Sequence, residues 1–168
     1  MIFQDLREFI DECDRIGELH RIDGAETDLE IGALTELIAE EDLMGHPALL
    51  FDQVKGYPKG YRVLSNILTN VRRNALALGI DPDTPPMEAL RYWKNKVAAY
   101  QPIPPKVVKD GPVFENIFRG DDVDILKFPA PRWHENDPGA FIGTGNMVIM
   151  KDPEGDWVNV AAQRNMVF

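Results

Sequence analysis

Apolar positions along this chain switch between two spacings, and each switch marks an element. Leu6, Phe9, Ile10, Cys13 and Ile16 recur at helical spacing among charged residues, which predicts an amphipathic helix over residues 4–16. Gly17 ends it, since glycine readily takes the positive φ of a helix stop. The run ELHRID (18–23) alternates, with Leu19 and Ile22 as its apolar members, and predicts a short strand with His20 on the outer face. Helical spacing returns in Ile31, Leu34, Leu37 and Ile38, with Asp28 placed to cap the helix and Pro47 beyond its end at Met44-Gly45-His46. ALLFDQV (48–54) reads as a compact buried strand, GYPKGY (56–61) as a turn and YRVLSNIL (61–68) as another strand. Short connections between these elements imply helices laid on one mixed sheet.

Asn70 is placed to cap a helix over VRRNALALGI (71–80), which stops near Gly79. After the breaker DPDTPP, a further helix spans 87–100, with Leu90, Trp93 and Val97 as its apolar face. QPIPPKVVKDGP (101–112) is rich in proline and predicts an extended linker. VFENIF (113–118) alternates as a strand, Gly120-Asp121-Asp122 makes a turn, and VDILKFPAP (123–131) is a helical turn blocked by its prolines. AFIGTGNMVIMKD (140–152) and WVNVAAQRNMVF (157–168) then form a β-hairpin around Asp152-Pro153-Glu154-Gly155-Asp156. The expected organisation is an N-terminal mixed α/β domain over 1–112, linker included, and a second unit over 113–168.

Composition narrows the function classes. A hydrophobic fraction of 44% with 27% charged residues indicates a folded globular chain. Its net charge of −10 comes without the basic stripe that a nucleic-acid binder carries. A single cysteine, Cys13, rules out an intrachain disulfide; within a helical pattern it reads as a small buried or half-buried residue. The N-terminal residues are acidic where a signal peptide is basic, and no apolar run is long enough to cross a membrane. The expectation is a soluble, cytoplasmic protein.

The polar groups of interest lie on the second hairpin strand. Asn159 offers a hard carbonyl oxygen suited to a divalent cation, and Arg164 a fork that pairs with a carboxylate. In a regular strand Asn159, Ala161 and Gln163 share one face, while Val158, Val160, Ala162 and Arg164 share the other. If Asn159 and Arg164 are to meet one ligand, the strand must bulge or bend between them. Each alone also reads as an ordinary edge amide or surface charge, and no two-histidine metal spacing or phosphate-binding glycine loop is present.

Pro131 with Trp133, Asp137-Pro138-Gly139, Phe141-Ile142, Thr144, Asp152-Pro153 and above all Asn159-Val-Ala-Ala-Gln-Arg164 resemble, in order and spacing, the UbiD family of prenylated-flavin-dependent decarboxylases. The opening DLREFIDECDRIGELHRID is similar to the start of that family as well. The resemblance implies that the hairpin begins a split β-barrel that binds prenylated FMN. It places Asn159 at a metal position, for Mn2+ with K+ as a second candidate ion, that holds the flavin phosphate. It lines the cofactor with Val160, Ala161, Ala162, Gln163 and Thr144, and sets Arg164 in an Arg-Glu-Glu group beside the reactive flavin, where it engages the substrate carboxylate and an acidic partner. The implied chemistry is reversible decarboxylation of aromatic or α,β-unsaturated acids. A glutamate returns a proton to the product carbon, and no acidic residue of this chain is assigned that role. The remaining metal ligands and the rest of the barrel are expected on a complementary chain or a further part of the polypeptide, in a homo- or hetero-oligomer. The alternative is a non-catalytic interaction module that retains the family's outer domain.

Overall fold

The computed structural model describes residues 3–167; Met1, Ile2 and the last residue of the predicted second hairpin strand, Phe168, lie outside the described residues. The N-terminal elements are α1 (Leu6–Arg15), β1 (Leu19–Asp23), α2 (Glu30–Glu41), β2 (Ala48–Asp52), β3 (Val63–Ser65), α3 (Val71–Leu78) and α4 (Pro86–Ala98). Three short 3-10 turns follow, and then β4 (Ala140–Lys151) and β5 (Val158–Val167). The fold is α+β, as its alternating patterns predict.

Strand order in the first sheet is β1-β2-β3, with β1 parallel to β2 and β3 antiparallel to it. The central strand is covered on both faces, which explains its unbroken apolar run. Ala48 and Leu50 pack with Phe9, Ile10, Cys13 and Leu76 from α1 and α3. Leu49 and Phe51 pack on the opposite side with Ile31 of α2, together with Ala25 and Val54. Local chemistry sets the helix ends. Asp5 accepts from the backbone N–H groups of Arg7 and Glu8, Asn70 Oδ1 accepts from Arg73 N–H at 2.9 Å, and Gly79 takes φ 73°. Burial pushes the Cys13 thiol up to about 11, which suits a packing residue.

Four expectations are corrected. Asp28 does not cap α2; that position falls to Leu29, at φ 67° and with no side-chain cap. Asp28 instead accepts from Arg132 Nε at 2.7 Å, because a distant guanidinium outcompetes a local amide. β3 stops at Ser65, since Asn66 turns to φ 55°. VFENIF forms no strand: Pro112–Phe114 is a 3-10 turn, no neighbouring strand offers its backbone a ladder, and Val113, Phe114, Ile117 and Phe118 are exposed. The apolar face of α4 is not covered, with Leu90 60% and Val97 55% exposed and none of the helix's residues buried.

Segment 129–137 links the loop before α2 to the start of the β4–β5 hairpin. Arg132 N–H donates to Thr27 O at 2.9 Å, Leu29 N–H donates to Arg132 O at 3.0 Å, and Phe141 N–H at the start of β4 donates to Pro131 O at 2.8 Å. Gly32 permits the approach. A Cβ there would stand 2.2 Å from the backbone oxygen of Trp133.

Candidate active-site cleft

The hairpin ladder is regular where the sequence suggests a bend. Met150 pairs with Asn159, Ile149 with Val160, Val148 with Ala161, Met147 with Ala162 and Asn146 with Gln163. The irregularities sit on the other strand. Between Gly143 and Asn146 β4 advances three residues while β5 advances two, and a second shift lies between Phe141 and Gly143. The bend that a ligand shared by Asn159 and Arg164 would require is absent from β5, and the bulge lies on β4, opposite Arg164, where Gly143 and Gly145 flank Thr144. Asn159 and Arg164 stay on opposite sides of β5.

That bulge shapes one wall of a cleft of about 700 Å³. Thr144, Asn146 and Arg164 line it from the hairpin, Arg62, Ser65 and Asn66 from β3 and its flanks, and Trp133, His134 and Asp137 from the joining segment. The structure thus brings Thr144 and Arg164 together, while Asn159, Val160, Ala161, Ala162 and Gln163 run away from the cleft along β5. Asn159 and Ala161 are half-buried on one hairpin face; Met147, Ile149, Val158 and Val160 form an exposed apolar surface on the other.

Arg164 makes no hydrogen bond or ion pair among the described residues, so its fork is available to an anion. The cleft is of the size that holds a drug-sized ligand, about 300–1,000 Å³. The metal expectation fits in part. No three His, Cys, Asp or Glu side chains converge among the described residues. Asn159 offers one carboxamide oxygen, a hard donor of the kind Mn2+ accepts, and so suits one position of a shared coordination sphere.

Sequence reasoning passed over the residues that hold the cleft's N-terminal wall. Arg73 is fully buried, and its guanidinium donates to Ile67 O at 3.0 Å, Asn66 O at 2.9 Å, Thr69 Oγ1 at 2.9 Å, His46 O at 2.9 Å and Glu18 Oε2 at 2.8 Å. Burial lowers its pKa, and the Glu18 charge and hydrogen bond act in the opposite direction. A signal was available. Two arginines in the first turn of α3 oppose the helix dipole, which points to partners elsewhere.

His134 fastens the joining segment to α2. Its Nε2 pairs with Glu36, its backbone N–H donates to Asp137 Oδ2 at 3.0 Å, and its Nδ1 lies 3.4 Å from the same carboxylate. The hydrogen bond and charge of Glu36, followed by Asp137, raise the His134 pKa above its ordinary value of 6.5. A folded-state pKa above the unfolded one adds stability that is complete below about pH 6.5 and is lost as pH rises through the raised value. Thermal melts should therefore show a midpoint that declines with pH across that window, and His134→Gln should flatten this decline. A variant that keeps the full slope would remove His134 as its source.

The comparisons with known proteins agree with this architecture. The family model described as the 3-octaprenyl-4-hydroxybenzoate carboxy-lyase N-terminal domain matches residues 10–93, and the Rift-related domain of the same carboxy-lyase matches residues 106–168. The chain belongs to the UbiD family. The pyrrole-2-carboxylic acid decarboxylase of Pseudomonas aeruginosa is 31% identical over 97% of this chain and 34% of its own length. A phenolic acid decarboxylase of a Streptomyces species is 33% identical over 92% of this chain and 32% of its own. Among solved structures, the open form of the vanillic acid decarboxylase of Sedimentibacter hydroxybenzoicus superposes with a TM-score of 0.80 at 30% identity, covering 99% of this chain and 35% of that one. An evolved dimeric form of the UbiD-class enzyme HmfF from Pelotomaculum thermopropionicum, solved in complex with prFMN, gives 0.73 at 28% identity over 96% of this chain and 35% of that one. The chain thus spans about a third of the length of these UbiD relatives. Among its described residues no helix is long and apolar enough to cross a membrane.

Proposed function

We propose that the chain supplies the N-terminal unit and first barrel hairpin of a decarboxylase that acts reversibly on aromatic or α,β-unsaturated carboxylic acids with prenylated FMN. One observation carries the reading: the Arg164 guanidinium, without an ion-pair partner among the described residues, lines a 700 Å³ cleft beside Thr144. The reading is supported by relatives whose names are those of pyrrole-2-carboxylic, phenolic and vanillic acid decarboxylases, and by the prFMN complex of HmfF.

In this reading residues 1–112 are the supporting domain and 113–168 the start of the cofactor domain. Arg164 binds and orients the substrate carboxylate. Asn159 contributes one oxygen to Mn2+, with K+ as a second candidate ion, at the phosphate end of the flavin. Val160, Ala161, Ala162 and Gln163 offer mainly backbone to the cofactor, and Thr144 adds a hydroxyl on the neighbouring strand. When bound, the flavin supplies the electron sink for loss of carbon dioxide. Further metal ligands and the proton donor come from a complementary chain or a further part of the polypeptide, in a homo- or hetero-oligomer.

Two variants test this in the complete enzyme. Arg164→Met should lower kcat/KM for decarboxylation roughly 10- to 150-fold, the equivalent of losing about 1.5–3 kcal/mol from a charged hydrogen bond. Asn159→Ala should reduce bound manganese and flavin, read by metal analysis and by flavin absorbance. If both variants keep wild-type activity and occupancy, the non-catalytic module becomes the better account.

A further inference from the structure

The two walls of the cleft differ in how their polar groups are satisfied. On the N-terminal wall, Thr35 Oγ1 donates to Ile31 O at 2.7 Å, which leaves the Ser65 hydroxyl to donate to Thr35 Oγ1 at 3.0 Å. Asn66 Nδ2 donates to Thr35 O at 3.3 Å. These side chains direct their donors at α2. Arg62 stands apart: it lines the cleft, is exposed, and makes no hydrogen bond or ion pair among the described residues. It is the only charged side chain that β3 and its flanks add to the lining.

Arg164 is in the same condition on the hairpin wall. The one carboxylate in the lining, Asp137, is already engaged by His134. Inside a chain of net charge −10, the cleft therefore presents two unpaired guanidiniums from opposite walls. Each is a planar fork suited to an oxyanion, and a cleft lined by unpaired cations, though half open to solvent, concentrates anions.

We infer that Arg62 is a second oxyanion-binding residue, and that the cleft prefers a ligand with two separated anionic groups, an aromatic dicarboxylate over a monocarboxylate. This rests on the reading of Arg164 as the residue for the first carboxylate. A ligand that reaches both walls gains a second charge-assisted contact and relieves the repulsion between the two cations. Arg62 is thereby a specificity residue, distinct from the groups that engage the reacting acid.

Titrations of the chain with benzoate, isophthalate and terephthalate, followed by NMR shifts, test the assignment. Wild type should bind at least one dicarboxylate about tenfold more tightly than benzoate. Arg62→Met should abolish that preference, weakening the dicarboxylate far more than benzoate, and Arg62→Lys should restore part of it. Arg164→Met should weaken benzoate and both dicarboxylates. Equal affinities in wild type, or a preference that survives Arg62→Met, overturn the inference while leaving the Arg164 reading intact. If Arg164→Met leaves benzoate binding unchanged, the Arg164 reading fails, and a dicarboxylate preference that Arg62→Met still abolishes supports Arg62 as an oxyanion-binding residue without it. A parallel titration with FMN and riboflavin covers the other source of an oxyanion. If Arg62→Met weakens FMN alone and leaves the dicarboxylate preference in place, Arg62 serves the cofactor phosphate and the inference is overturned.

Discussion

Replacing Arg73 with methionine is expected to cost about 3–5 kcal/mol of folding stability, the sum of several buried acceptors left without a donor. Methionine fills much of the volume, so a cavity contributes little and the loss is polar. The carbonyls of Asn66, Ile67 and His46 lose their guanidinium donor. Unsatisfied buried acceptors cost about 1–3 kcal/mol each, moderated where water reaches them. Glu18 keeps Arg72, at 2.8 Å from Nε, and Asn70 Nδ2, at 2.7 Å, so its charge is not stranded. Against a typical total of about 5–15 kcal/mol, the loss is a large share. Urea unfolding measures it directly, and Arg73→Lys should fall between wild type and Arg73→Met, since it restores the charge without the fork. A variant within about 1 kcal/mol of wild type would show that the network adds little net stability.

The second large effect is expected at Gly32, where two terms of opposite sign compete. In an exposed helix interior, glycine to alanine stabilises by about 1 kcal/mol. Here the added Cβ would stand 2.2 Å from Trp133 O and 2.9 Å from Trp133 C and Cα. Those are backbone atoms held by the hydrogen bonds of Arg132 to Thr27 and Leu29, so no side-chain rotation relieves the contact. Overpacking costs about 1–3 kcal/mol, occasionally more, and the clash is expected to win. Gly32→Ala should therefore lower the melting temperature, and with the joining segment pushed off α2 it should also weaken anion binding in the cleft. An alanine variant more stable than wild type would show that the segment yields freely.

What could be read from the sequence divides along the range of the interactions. Asp5, Asn70 and Gly79 act on backbone within a few residues, and their helix ends follow from local chemistry. The ALLF run follows from burial on both faces of β2. Asp28 was misread because its partner, Arg132, lies 104 residues away. The early stop of β3 depends on Asn66, whose carbonyl is gripped by an arginine on the next helix. The strand expected at 113–118 had the right alternation and no neighbour to pair with. Asn159 and Arg164 stand out by their side-chain chemistry, while Thr144 and the role of each follow from resemblance. The placement of Arg164 and Arg62 in one cleft was not legible, because only the folded chain brings β3 and the β4 bulge to line the same space.

The stitching of segment 129–137 to α2 also bears on the order of folding. The Glu18–Arg73 pair closes a separation of 55 residues, and the Asp28–Arg132 pair nearly twice that. Doubling a loop adds only about 0.6 kcal/mol of closure entropy, so the longer closure is thermodynamically cheap. It is kinetically late, because the distant ends must find each other after local and shorter-range contacts have formed. The N-terminal sheet can thus condense first and serve as the template on which the hairpin docks. The cleft forms at that last step, and it is the part of the molecule that can open again while the sheet's own core stays closed.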